Sequence, residues 1–409
     1  MAERTGTNSA VVKQKNMEAV KLMLYREAPI SRAEIAANLG LTPATITNIT
    51  SALINQGVVE EISDEGVAAH GTTGRRPILI DLKRDSFTVL GVSMGRDSTR
   101  YAITDMRGKV LAKGIYEVMN DDYSVMIHQL QGILSLIEKE HNDLWQKLLG
   151  IGLGIPGVVN AHSGQLKNHG SERISWCNQP LGEEISKFTG LPVRVANNVK
   201  ARSSAISLFW PELLEGDTMF ALCYVSFGIA CPFVLDNRVF NGAEDAAGEI
   251  GKMILRPYLK EEVGFAPAGS LEALSSVYAI LKQCRERMEQ GEATILNELC
   301  PESENLHLSQ VLEAQRQGDP MVCEILDQAM FYVGIALANI VDIINPHLVL
   351  LSGAIFTNLQ NAETVERTLK EKAFLADPES LRVVPVDMGE YAGAVGAAAC
   401  CVEKYFLHA

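Results

Sequence analysis

Apolar residues in the first 57 positions recur at three- and four-residue steps in three stretches, a spacing that predicts three helices. The first covers about residues 11–26, with Met17, Val20, Leu22, Met23 and Leu24 on one broad face. Pro29 ends it, because the residue before a proline is disfavoured in helical geometry. Ser31 then caps a second helix with Glu34 three residues on, the spacing of a capping box, and Gly40 closes it. Thr42 caps a third helix with Pro43 at its first position, where a missing N–H costs nothing. In that helix Ile46, Ile49 and Leu53 face inward, and Gly57 stops it. The segment VVEEI (58–62) then predicts a strand paired with ILIDL (78–82), a two-stranded wing.

Beyond residue 86 the pattern changes to strands alternating with helices. TVLGVSM, TRYAITDM and KVLAKGIYE predict a three-strand meander turning at Asp105–Gly108, followed by a helix over about 122–140 and the strand LLGIGLGIPGVV. GEEISKFTG, the strand PVRVA and a helix near Lys200 complete a first set. A second set starts with MFALCYVSF and CPFVLDN, runs through helices at 271–289, 308–315 and 320–344 and the strand HLVLLSG, and ends in a helix at 390–406. A strand meander followed by helices, occurring twice, predicts an α/β body of two lobes. The expected domains are 1–85, the winged helix-turn-helix with its linker; 86–200, a first lobe completed by 388–409; and 201–387, a second lobe.

The third helix carries the first functional signal. Its outer face shows Ala44, Thr45, Thr47, Asn48 and Ser51, all small or polar and uncharged. Such side chains let a helix backbone approach base edges in the DNA major groove. Thr42 and Arg32 join them as expected DNA contacts. Arg75 and Arg76, between Gly74 and Pro77, fit insertion into a narrow A·T minor groove. The expected partner is double-stranded operator DNA.

Net charge complicates that picture. The chain carries −14, yet residues 1–85 hold ten Lys/Arg and ten Asp/Glu, so the whole deficit lies in the body. A neutral head on an acidic body permits DNA contact only at local basic points. The polar start MAERTGTNSAVVKQKN lacks the apolar core of a secretory signal, and no run of about 18 uncharged apolar residues predicts a membrane span. Eight cysteines, none in a CxxC pair, suit reduced thiols, so a cytoplasmic location is expected.

The body also carries an ordered series: GIGLGIPGVVN (150–160), Trp176-x-Asn178-x-Pro180-Leu181, PVRVANN (192–198), GEIGK (248–252), GSLEAL (269–274) and NPHLVLLSG (345–353). This series resembles the ROK family of repressors, open reading frames and sugar kinases, and the head with its Gly-Arg-Arg-Pro segment resembles the regulators of that family. The resemblance implies an actin-like, hexokinase-like (ribonuclease H-like) two-lobed fold. It implies sugar contacts at Asn197, Glu249 and Glu272, a loop shaped by Pro156 and Gly157, and a polar group at Asn198.

Against the kinase pattern of that family the chain departs repeatedly. The catalytic aspartate of an Asn-Asp pair is Asn198 here, and an amide lacks the basicity to take a sugar hydroxyl proton, help typically worth about 10²–10⁴-fold. Ser93 stands at the acidic position of the first phosphate turn, and the second reads Ser226-Phe-Gly-Ile-Ala-Cys-Pro232. The family's structural zinc site is likewise broken: Lys252 replaces its histidine, residues 253–272 contain no cysteine, and Ser270 stands where the last would be. No metal and no cofactor are therefore expected, and no enzymatic activity.

The expectation is a DNA-binding regulator of carbohydrate metabolism, a repressor acting as a homodimer or homotetramer. Its pocket is expected to sense a sugar, sugar acid or sugar phosphate, with Lys252 placing a cation beside Glu249. A sugar kinase with a DNA-binding head, and a regulator switched by a protein partner, are the competing readings.

Overall fold

The computed structural model describes residues 9–62, 78–96, 98–168, 175–258, 263–264, 266–374, 377 and 380–408. Arg75 and Arg76 lie outside the described residues.

In the head, α1 (Ser9–Glu27), α2 (Arg32–Leu39) and α3 (Pro43–Asn55) form where the apolar spacing places them. Ser31 accepts from the Glu34 amide while Glu34 Oε2 accepts from the Ser31 amide at 2.9 Å, completing the capping box. Gly40 leaves α2 in the left-handed region at φ 63°, which a side chain would resist. Thr42 caps α3. The wing has one strand more than the pattern predicts. Strand β1 (Ile30–Ser31) joins β2 (Val59–Ile62) and β3 (Leu79–Leu82) in the order β1-β3-β2. Two residues are too few to show an alternation, so only the sheet partner reveals them.

Packing divides the described chain into two compact units: Met1–Pro156 with Asn178–Pro211 and Tyr391–Ala409, and Gly157–Cys177 with Glu212–Glu390. The expected boundaries at 85 and 200 differ from these. The head does not stand apart, because one continuous core joins Val20, Leu24, Tyr25, Ile46 and Leu53 to Met106, Phe209, Val402 and Phe406. Helix Asn198–Phe209 stays with the first unit, since nine of its side chains are buried there.

Polar bonds fix the head on that core. The Asp105–Gly108 turn offers Arg107, whose Nη1 donates to the Tyr25 carbonyl at 2.5 Å and whose Nη2 donates to the Leu24 carbonyl at 3.2 Å and to Asp81 Oδ1 at 2.6 Å. A body guanidinium therefore satisfies carbonyls in the last turn of α1, which a helix cannot satisfy itself. Tyr25 returns its hydroxyl to the Met106 carbonyl at 2.5 Å. Lys21 donates to the Phe406 carbonyl at 2.6 Å and lies over that ring; burial holds its ammonium below the usual pKa range.

The first unit's five-stranded sheet runs Val193–Asn197, Leu148–Ile155, Thr88–Met94, Thr99–Asp105, Val110–Tyr116. The last three form the antiparallel meander, and the first two run parallel to its inner strand. Helix Ala392–Val402 lies on this sheet with every residue buried. It comes so close that a Cβ on Gly91 would fall 1.9 Å from the Ala394 carbonyl oxygen, and one on Gly152 1.8 Å from that of Ala397.

In the second unit the sheet order is Arg238–Val239, Phe233–Leu235, Phe220–Val225, Leu348–Ser352, Arg382–Pro385. Helix Pro320–Ile344 is long and apolar enough, by length and composition, to cross a membrane, but 61% of that window is buried, as in a core helix. Helix Leu359–Lys372 escaped the pattern because Asn361, Thr364 and Thr368 occupy buried positions on it. Asn361 does so by donating to the Ile355 carbonyl at 2.7 Å and accepting from Gln315.

Two glycine substitutions should separate close approach from helix propensity. Gly152→Ala should cost more than about 3 kcal/mol or prevent folding, since backbone, not a movable side chain, fills its space. Gly132→Ala, in a helix interior with nothing within 4 Å, should stabilise by about 0.5–1 kcal/mol. Urea unfolding of both variants checks this.

Candidate functional site

The recognition surface is built by burial of the opposite face. Ile46 and Leu53 are fully buried and Ile49 nearly so, which leaves Ala44, Thr47, Asn48 and Ser51 exposed along α3 and Thr45 partly so. Thr42 and Thr45 share a hydrogen bond at 2.9 Å, and Thr47 donates to the Pro43 carbonyl at 2.9 Å. The Thr47 hydroxyl is thereby oriented, with accepting capacity left for an amino group on a base edge.

Arg32 differs from expectation. Its Nε donates to Thr50 Oγ1 at 2.9 Å and its Nη2 pairs with Glu61 at 2.7 Å. The side chain ties α2 to α3 and to the wing, so its guanidinium is largely committed inside the head. Among the described residues the exposed cations nearest the start of the head are Lys13 and Lys15, on α1.

The expected ligand residues fall in both units, and each set is described within its own. In the first, Asn197 Oδ1 accepts from the Val199 and Lys200 amides at 2.9 Å each, so that oxygen caps helix Asn198–Phe209. Asn198 opens the helix, partly exposed, with its Cα about a van der Waals contact from the space beside Gly154. Pro156 follows strand Leu148–Ile155.

Arg202 is a residue that sequence reasoning missed. Its Nη1 donates to the Asn198 carbonyl at 2.8 Å. A Cβ on Gly393 would meet Ser93 Oγ at 2.5 Å and Arg202 Nη2 at 3.0 Å, so serine and guanidinium border the same point. The corner where the resemblance implies an acidic residue thus holds a cation instead. The signal was visible as an arginine four residues after Asn198, one helical turn on.

In the second unit Gly157 adopts φ 96°, a conformation that favours glycine. Lys252 pairs with Glu272 at 3.4 Å, rather than being held beside Glu249 as expected. Glu249 is half-buried and precedes the short turn Ile250–Lys252, whose last amide donates to the Glu249 carbonyl. Gly251 and Gly228 lie against the Glu272 carboxylate, where a Cβ would come within 2.7 and 3.8 Å of Oε2.

In the hairpin Ser226–Pro232 the donors at its two ends are occupied. The Ser226 amide donates to the Gly228 carbonyl at 2.9 Å, and that of Cys231 to Gly248 at 2.7 Å; Pro232 has none. In the first turn the Gly95 amide donates to the Ser98 carbonyl.

The residues present do not fit a zinc ion. Ser270 is fully buried and caps helix Leu271–Ser275 through its hydroxyl, while the Lys252 ammonium is ion-paired. The braced segment is held by backbone bonds instead: Leu255 and Arg256 amides donate to Gly269, and that of Leu271 to Met253. Gly269 is required, because a Cβ there would lie 1.9 Å from the Arg256 carbonyl oxygen. Tyr258 and Pro267 are exposed.

Family models match both the head and the body of the chain. Residues 89–404 match the ROK family, and residues 22–60 match a winged helix-turn-helix DNA-binding model. The chain is 25% identical to a xylose repressor of Caldicellulosiruptor bescii, over 97% of each chain. It is also 25% identical to the DNA-binding transcriptional dual regulator NagC of Escherichia coli, over 95% of this chain and 93% of that one. A solved ROK family transcriptional regulator, described as a homologue of the E. coli MLC protein, superimposes with a TM-score of 0.82 at 26% identity, covering 96% and 97%. A ROK family glucokinase from Streptomyces griseus, at 19% identity and a TM-score of 0.66 over 76% and 98%, shares the fold. The chain therefore belongs to the ROK family, with that family's domain following a winged helix-turn-helix head.

Proposed function

We propose that this transcription regulator represses genes of carbohydrate metabolism and senses its effector through a kinase-like domain that does not phosphorylate it. The observation that carries this reading is the pairing of a bare, uncharged recognition face on α3 with an amide at Asn198 in place of a carboxylate. A base is needed to take the sugar hydroxyl proton, and Asn198 cannot act as one. The occupied amides of Ser226 and Cys231, with no amide at Pro232, leave fewer donors to grip nucleotide phosphates.

Within the first unit, the cation Arg202, with Asn198 and Pro156, supports an anionic effector, a sugar acid or sugar phosphate; within the second unit, Gly157, Glu249, Lys252 and Glu272 are ligand contacts of their own. The regulator acts in the cytoplasm as a homodimer or homotetramer, since two-fold symmetry sets paired recognition helices about one helical turn of DNA apart. Arg75 and Arg76 contribute minor-groove contacts at A·T-rich flanks.

Three measurements check this reading. In a gel-shift assay with its own promoter region, Ala44→Glu should weaken binding at least about 100-fold, because a carboxylate replaces a methyl against DNA, while unfolding midpoints stay unchanged. Arg32→Ala should instead lower the unfolding midpoint and leave the salt slope of binding as it was. Unchanged gel shifts for Ala44→Glu would remove α3 from the interface.

A coupled ATPase assay with glucose, xylose and N-acetylglucosamine should show no sugar-dependent turnover, and Asn198→Asp alone should not create it. Sugar-dependent phosphorylation by the unaltered chain would make it a kinase with a DNA-binding head. Thermal-shift titration should favour gluconate or glucose 6-phosphate over glucose, an order that Arg202→Gln removes.

A further inference from the structure

Within the first unit, helix Asn198–Phe209 touches two places that the proposed function needs to connect. Its first residue is Asn198, and Arg202, one turn on, is bonded back to the Asn198 carbonyl. Its last residue, Phe209, stands against the turn that holds the head: a Cβ on Gly108 would lie 2.3 Å from Phe209 Cγ. The neighbouring Arg107 carries the bonds to Leu24, Tyr25 and Asp81, and Met106 accepts from Tyr25. Twelve residues span the distance, about 18 Å of helix.

The material between these ends is stiff. Ala201, Ala205 and Ile206 are fully buried, and Gly396 of the C-terminal helix approaches the Ala201 backbone so closely that a Cβ would fall 2.6 Å from it. That second helix continues into the segment whose Phe406 carbonyl accepts from Lys21 of α1. Close-packed contacts of this kind transmit a displacement rather than absorb it. The helix also holds Ser203 and Ser207, one turn apart, with hydroxyls buried and without a hydrogen-bond partner.

We propose that helix Asn198–Phe209 couples the effector site to the DNA-binding head, with Phe209 and Arg107 as positioning residues at its head end. The inference rests on Asn198 belonging to the effector site. Effector contact at Asn198 shifts the helix along its axis, Phe209 moves the Asp105–Gly108 turn, and Arg107 carries α1 with it. The head then moves because the last turn of α1 is capped from the body, not because a linker tightens.

A double-mutant cycle read by hydrogen exchange on the full chain tests this without a known effector. Asn198→Asp keeps the size of the side chain and favours the helix N-terminus, so the protein should fold. It should change amide exchange in the last turn of α1, residues 23–26, at least threefold, while strand Leu348–Ser352 in the second unit stays unchanged. In an Arg107→Lys background, or in Phe209→Leu should the first variant fold poorly, the same substitution should change α1 exchange less than half as much on a logarithmic scale. Independent sites add, so an equal effect in both backgrounds would overturn the coupling, as would an α1 indifferent to Asn198→Asp. Promoter binding by the unaltered chain is measured alongside. Its absence would defeat the regulatory reading, while the exchange cycle would still decide whether the helix couples the two ends.

Discussion

The head of this protein is held by a guanidinium that belongs to the body. Arg107 reaches from a β-turn to two carbonyls at the end of α1 and to Asp81 on the wing, and Tyr25 bonds in the opposite direction to Met106. Around these bonds a single apolar cluster runs from α3 through α1 to Phe209 and the C-terminal helix. A short winged helix-turn-helix buries too little on its own to be very stable. Sharing a core with the first lobe stabilises it, and also makes its orientation a property of that lobe. The α3 surface and the Asn198 region are therefore parts of one packed unit.

The body shows how a kinase-like scaffold can hold together without the groups of the kinase pattern. Backbone bonds from Leu255, Arg256 and Leu271 secure the chain around Ser270, and Gly269 permits the close approach they require. Ser270 caps helix Leu271–Ser275. Near Asn198 a cation has entered: Arg202 borders Ser93, so the local charge differs in sign from that of a carboxylate-lined phosphate-transfer site. These exchanges leave polar recognition groups in place, with an asparagine where the base would stand.

Much of the head was legible in the residues because its signals are local. Ser31 with Glu34, Gly40, and Thr42 with Pro43 each act within one helical turn, and the three-four spacing of Ile46, Ile49 and Leu53 assigns the buried face of α3. The family series and the substitution at Asn198 were equally readable, because chemistry at a motif position depends on residue type. Helix Leu359–Lys372 was not, since Asn361 occupies a core position only because Gln315 and the Ile355 carbonyl satisfy it.

Sequence by itself determined which helices form in the head, which face of α3 is exposed, and that position 198 carries an amide. Tertiary structure alone decided that the head and first lobe are one unit, that Arg32 is tied to Thr50 and Glu61, that Lys252 turns to Glu272, and that Arg202 lies beside Ser93. The reason is distance along the chain. Caps and periodicities act over three or four residues, whereas the partner of a long charged side chain is chosen by whatever the fold brings near, here up to 83 residues away for Arg107.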